Sequence, residues 1–96
     1  MHNRRKYARF DCSKNARLGW KGELYSGTVT NLSITGAEVH LCMVIEAIPS
    51  AMTPGDTCEL YLYDEKFSHP YKYDSKVIRI GASEVVVRIQ GMQMHM

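Results

Sequence analysis

Tyr71-Lys72-Tyr73-Asp74-Ser75-Lys76-Val77-Ile78-Arg79-Ile80, followed by Gly81-Ala82-Ser83 and then Glu84-Val85-Val86-Val87-Arg88-Ile89, reads as two strands joined across a tight loop of hairpin length. Val, Ile and Tyr suit a pleated, half-buried surface, and Gly81 with Ser83 interrupts it. Toward the N-terminus the same grammar recurs. Cys58, Leu60 and Leu62 share one face of a strand whose other face carries Glu59, Tyr61 and Tyr63. Residues 37–41 alternate apolar and polar, and residues 16–20 and 24–31 read as two strands around Gly22. Residues 43–54 fit neither period. Their Ile48-Pro49 and Thr53-Pro54 bonds oppose a long helix, so a loop with room for one helical turn is expected there. Six strands in 96 residues with no competing long helix predict an all-β fold, a six-stranded antiparallel β-barrel, because closure removes the edges an open sheet would expose.

A chain of 96 residues with 45% hydrophobic and 23% charged side chains is one domain of ordinary globular composition, which excludes a large multidomain enzyme. Its longest wholly apolar run, residues 41–45, is far short of the roughly 20 residues needed to span a bilayer. The start, Met1-His2-Asn3-Arg4-Arg5-Lys6, leads into no apolar signal segment. A soluble protein without membrane insertion is expected. Cys12, Cys42 and Cys58 are odd in number and lack a Cys-x-x-Cys pair, so neither a complete disulfide framework nor a cysteine zinc site is indicated, and a cytoplasmic location fits best.

The net charge of +2 conceals an asymmetry. Residues 1–21 hold seven Lys or Arg against Asp11 alone, whereas the remaining 75 residues carry five basic and nine acidic side chains. The first ten residues show no clear strand or helix period. The expected organisation is therefore a flexible basic N-terminal arm over residues 1–14 and a single barrel domain over residues 15–96. Such an arm seeks an anionic partner.

Two pieces of sequence give that partner a chemistry. They are the arm Arg4-Arg5-Lys6-Tyr7-Ala8-Arg9 and, about twenty-two residues later, Asn31-Leu32-Ser33-Ile34-Thr35-Gly36, which reads as a turn. At this spacing and around a predicted hairpin, they resemble the PilZ family, whose pattern is Arg-x-x-x-Arg followed by Asp/Asn-x-Ser-x-x-Gly. The resemblance continues through Pro54-Gly55-Asp56 and Val77-Ile78-Arg79-Ile80, and so covers nearly the whole chain. It implies a six-stranded barrel that serves as a receptor for the bacterial second messenger cyclic di-GMP. The chain departs from the family at Val85-Val86-Val87-Arg88-Ile89, where a Gly and an aromatic residue are usual, and in a longer connection over residues 43–53. Neither departure touches the two motifs.

The residue types suit that ligand on their own terms. Arg can fork onto guanine O6 and N7, pair with phosphate, or stack its flat guanidinium on a base. Arg5 and Arg9, four residues apart in a mobile arm, can converge on one compact anion, and the arm is expected to order on binding. Asn31 can both donate to and accept from a base edge, and Ser33 offers a compact hydroxyl. Gly36 supplies either a positive φ or a close backbone approach. Arg4 completes the expected binding set. In PilZ domains an Arg at its position accompanies an intercalated dimer of cyclic di-GMP, so the resemblance implies two ligands per chain.

Other chemistry is less well supplied. His40, His69 and the three cysteines follow no zinc spacing, no nucleophile turn is present, and no metal, cofactor or catalytic residue is expected. Trp20 and the six tyrosines could stack bases, but Tyr61, Tyr63, Tyr71 and Tyr73 lie on the acidic part of the chain, so barrel packing is the expected use and no specific nucleic acid is anticipated. Met92, Met94 and Met96 suit a strand edge, a partner-binding tail or disorder. The expected function is a non-enzymatic receptor that, having no room for an effector domain, alters contact with a separate effector protein. Its rivals are a PilZ-like adaptor that binds no nucleotide and a small barrel that binds nucleic acid nonspecifically.

Overall fold

The structure, a computed structural model, describes residues 7–63 and 71–94. The strands are β1 (Tyr7–Trp20), β2 (Glu23–Thr35), β3 (Glu38–Ile45), β4 (Thr57–Leu62), β5 (Tyr71–Ile80) and β6 (Glu84–Met94). All pairings are antiparallel, and the order β1-β2-β3-β6-β5-β4 closes into a barrel where β1 pairs back onto β4. No helix among the described residues is long and apolar enough to cross a membrane.

Short turns set the registers. Trp20 pairs with Glu23 across Lys21 and Gly22, which take φ of 50° and 82°. Two successive positive φ values give the primed turn whose twist matches the flanking strands, and Gly22 adopts its value without the side-chain penalty that Lys21 bears. The β5–β6 turn closes through the Gly81 amide, which donates to the Glu84 carbonyl at 2.7 Å. The Ile45 amide donates to Ser83 O at 2.9 Å and so ties this turn to the end of β3.

Alternation places one face of each strand inside. Leu18, Met43, Leu60, Val85 and Val87 have no solvent exposure, and Trp20 and Met52 join the same core. Burying each large apolar side chain contributes about 1.5–3 kcal/mol. Cys58, Leu60 and Leu62 face inward as their spacing predicts, and Tyr25 and Tyr73 pack against the core.

Several boundaries differ from the sequence reading, the end of β6 at Met94 rather than Ile89 among them. β1 begins at Tyr7 rather than at residue 16, because its pairing with β2 does not stop at the register set by the Lys21–Gly22 turn: after a one-residue shift between Asp11 and Lys14 it resumes at Asp11↔Asn31 and runs out to Tyr7↔Thr35. β2 therefore runs through Thr35, and Asn31 and Ser33 are strand residues; of the expected turn only Gly36 remains, followed by Ala37. β3 extends to Ile45 through its pairing with β2, and the connection after it is a loop held by the Gly55 amide on Val77 O at 2.7 Å and the Val77 amide on Asp56 O at 2.8 Å. Met92 and Met94 pair with Tyr73 and Tyr71 in β6.

Candidate ligand groove

Val29 is buried, so strict alternation along β2 would send Asn31 inward as well. A bulge prevents this. Val29 pairs with Met43 and Asn31 with the next residue back, Cys42, which leaves Thr30 as an extra residue. The phase flips there: Leu32 packs against the core, while Asn31 and Ser33 open to the outer face. The Thr30 hydroxyl donates to Cys42 O at 3.4 Å and spans the irregularity. A second bulge does the same on β5, where Ile78 is extra between the pairs Val77↔Val87 and Arg79↔Val86, and exposed Arg79 follows buried Val77 after two positions.

Pairing then lines these residues up across the barrel. One row runs Asn31, Cys42, Val86, Arg79, and the next runs Ser33, His40, Arg88, Lys76. The backbone of Arg9 extends the second row, since Arg9 is the β1 partner of Ser33. Asn31 and Ser33 of β2 and His40 and Cys42 of β3 form one side of a groove of about 420 Å³. Ile78 and Arg79 of β5 and Glu84 and Val86 of β6 form the other side. The size falls in the usual range for small-molecule sites, roughly 300–1,000 Å³.

At the lip of the groove the Glu38 carboxylate lies 3.1 Å from His40 Nε2 and 3.7 Å from Arg88 Nη1. Glu38 is half exposed, so these pairs orient side chains more than they stabilise the fold. Cys42 and Cys58 are free thiols. Burial, with Glu59 and Asp56 adding repulsion, pushes the Cys58 thiol up to about 12, which makes it inert at neutral pH. Among the described residues no three His, Cys, Asp or Glu side chains converge in a way that could hold a metal ion.

The expected site residues are thus placed unequally. Asn31 and Ser33 line the groove, and Arg9 is register-paired with Ser33. Gly36 lies outside the groove, at the β2–β3 turn with φ 59°, and a Cβ there would meet nothing within 4 Å. Of its two suggested roles, the positive φ is the one observed. Arg4 and Arg5, like His69 and Met96, lie outside the described residues. Sequence reasoning did not single out Arg79, Glu84 and Val86 as site residues, and considered His40 and Cys42 only for metal. The signal available was the spacing of apolar Val29 and Leu32, which no regular strand can place on one face.

A family model described as the PilZ domain matches residues 3–96. No curated protein matches the chain significantly. With that match running over nearly the whole length, and with the closed six-stranded barrel the resemblance implied, the chain belongs to the PilZ domain family.

Proposed function

We propose that the protein is a receptor for cyclic di-GMP that binds through Arg5, Arg9, Asn31, Ser33 and Gly36, with Arg4 assisting, and leaves the ligand chemically unchanged. The observation that carries this reading is the bulge at Thr30, which turns Asn31 and Ser33 together into an open groove beside the strand that bears Arg9. Asn31 reads a guanine edge, Ser33 bonds a phosphate or ribose oxygen, and the arginines supply charge-assisted bonds to phosphate and guanine. Arg4 stacks on an outer guanine and offsets the repulsion among four phosphates when two ligands bind as an intercalated dimer. Ordering of the N-terminal arm over the ligand changes the surface offered to an effector protein, and the ligand shifts that contact by its differential affinity for the two states.

Calorimetric titration of the purified chain with cyclic di-GMP, GTP and single-stranded DNA tests the reading. The expected result is selective binding of two cyclic di-GMP per chain at micromolar concentration or tighter, about 8 kcal/mol or more. Folded protein that gives a flat titration at roughly 100 times that concentration is an adaptor and not a receptor. Equal binding of DNA points to a nonspecific barrel.

A further inference from the structure

The groove is wider than the motif residues on its β2 side require. Asn31 and Glu84 are separated by two strand spacings and two residues, roughly 12 Å at ordinary strand dimensions, so they do not read the same base. The far side pairs an acid and a base: Glu84 and Arg79 flank Val86, and at the same spacings their backbones are roughly 8 Å apart. Neither makes an ion pair or a side-chain hydrogen bond with another described residue. Two opposite charges are thus held side by side over an apolar floor of Val86 and Ile78, neither spent on another described residue. The frame beneath them is fixed, because the three-residue turn before Glu84 is closed by its own backbone bond and tied to Ile45.

Resting on the cyclic di-GMP reading above, we propose that Glu84 and Arg79 form a second guanine-reading subsite in this groove. Guanine presents a pair of donors, N1–H and the N2 amino group, on one edge and the acceptors O6 and N7 on another. A carboxylate is acceptor-only and takes both donors at once; an amide such as that of Asn31 carries one acceptor and one donor group and satisfies only half of that edge. Arg79 meets the O6 and N7 side with its guanidinium fork, and the flat base lies against Val86 and Ile78. The first guanine then goes to the Asn31 side and the second to the Glu84 side.

The test is calorimetry of the full chain with cyclic di-GMP and with its inosine counterpart, which keeps N1–H and lacks the N2 amino groups, for wild type, Glu84→Gln and Arg79→Met. Glu84→Gln leaves one acceptor for the two donors, so with its oxygen on N1–H its own NH2 group is set against the N2 amino group. It is expected to weaken cyclic di-GMP about tenfold or more and to shrink the preference over the inosine ligand, and Arg79→Met weakens both ligands by a similar factor. Both side chains are exposed, so melting temperatures should match wild type and confirm folded protein. If wild type binds cyclic di-GMP and Glu84→Gln keeps its affinity and its preference, the subsite is overturned and the receptor reading stands. If wild type does not bind, both fall.

Discussion

The corner around Trp20 and the groove around Asn31 use polar residues in opposite ways. At the corner, the Asp56 carboxylate accepts the Trp20 indole N–H at 3.0 Å, the Thr53 amide at 2.9 Å and the Thr53 hydroxyl at 3.1 Å. The Lys21 ammonium sits 5.2 Å from the Trp20 ring centroid. In the groove, Asn31, Ser33, Arg79 and Glu84 make no side-chain hydrogen bond to another described residue. A polar group that finds its partners inside the chain specifies the fold, and one left facing an open groove is available to something else. Mutations should therefore divide by region, with stability lost at the corner and binding lost in the groove.

The largest effect is expected for Trp20→Ala. Removing a buried indole costs about 3–5 kcal/mol, a large share of the roughly 5–15 kcal/mol that holds a domain of this kind. Urea unfolding should show that loss while the folded fraction keeps its cyclic di-GMP affinity. A variant that stayed fully stable but no longer bound would erase the division. Next in size are the arginines: Arg5→Ala and Arg9→Ala should each weaken cyclic di-GMP binding by about 1.5–3 kcal/mol with little change in melting temperature. Arg9 lies in a paired strand, so a steep fall in its melting temperature would move it to the corner's side of the comparison. Asn31→Ala and Ser33→Ala remove no charge and should cost roughly 1–3 kcal/mol of binding and some selectivity over cyclic di-AMP. Unchanged affinity in both would reduce the groove to general electrostatics.

What the sequence disclosed follows the same local-against-distant line. The strands over residues 58–62 and 71–80 and the Gly81–Ser83 turn were legible because period-two alternation and turn residues are local signals. The first half of β1 was not, since a run as charged as Tyr7-Ala8-Arg9-Phe10-Asp11 becomes a strand through pairing with residues 31–35, in a register shifted by one residue between Asp11 and Lys14 from the one the turn sets. Asn31 and Ser33, expected as ligand-binding residues, line the groove but were given the wrong local structure, because Asn, Ser and Gly favour turns in isolation and only Gly36 occupies one. Arg79 and Glu84 were out of reach for a different reason. The side of the sheet that Arg79 takes depends on the Ile78 bulge, and the nearness of both residues to Asn31 depends on β3 pairing with β6, which no local pattern records.

The smallest effect sharpens the comparison from the corner's side through pH. The Thr53 amide bond, above all, holds the Asp56 carboxyl below its ordinary value; the Trp20 and Thr53 side-chain bonds and the Lys21 charge act in the same direction, against the partial desolvation of the site. A group whose pKa is depressed in the folded state stabilises the fold at pH above its unfolded value near 3.8, and that contribution disappears as pH falls through the lower folded value. Asp56→Asn removes the titration and keeps one acceptor for the indole. Wild type should therefore lose more of its denaturant midpoint between pH 7 and pH 3 than Asp56→Asn does, the two curves converging in acid. Parallel curves would mean that the carboxylate's charge is immaterial at the corner and that its bonds could be made equally well by an amide. Cyclic di-GMP affinity at pH 7 should be the same in both proteins, because none of the groups that Asp56 binds lines the groove.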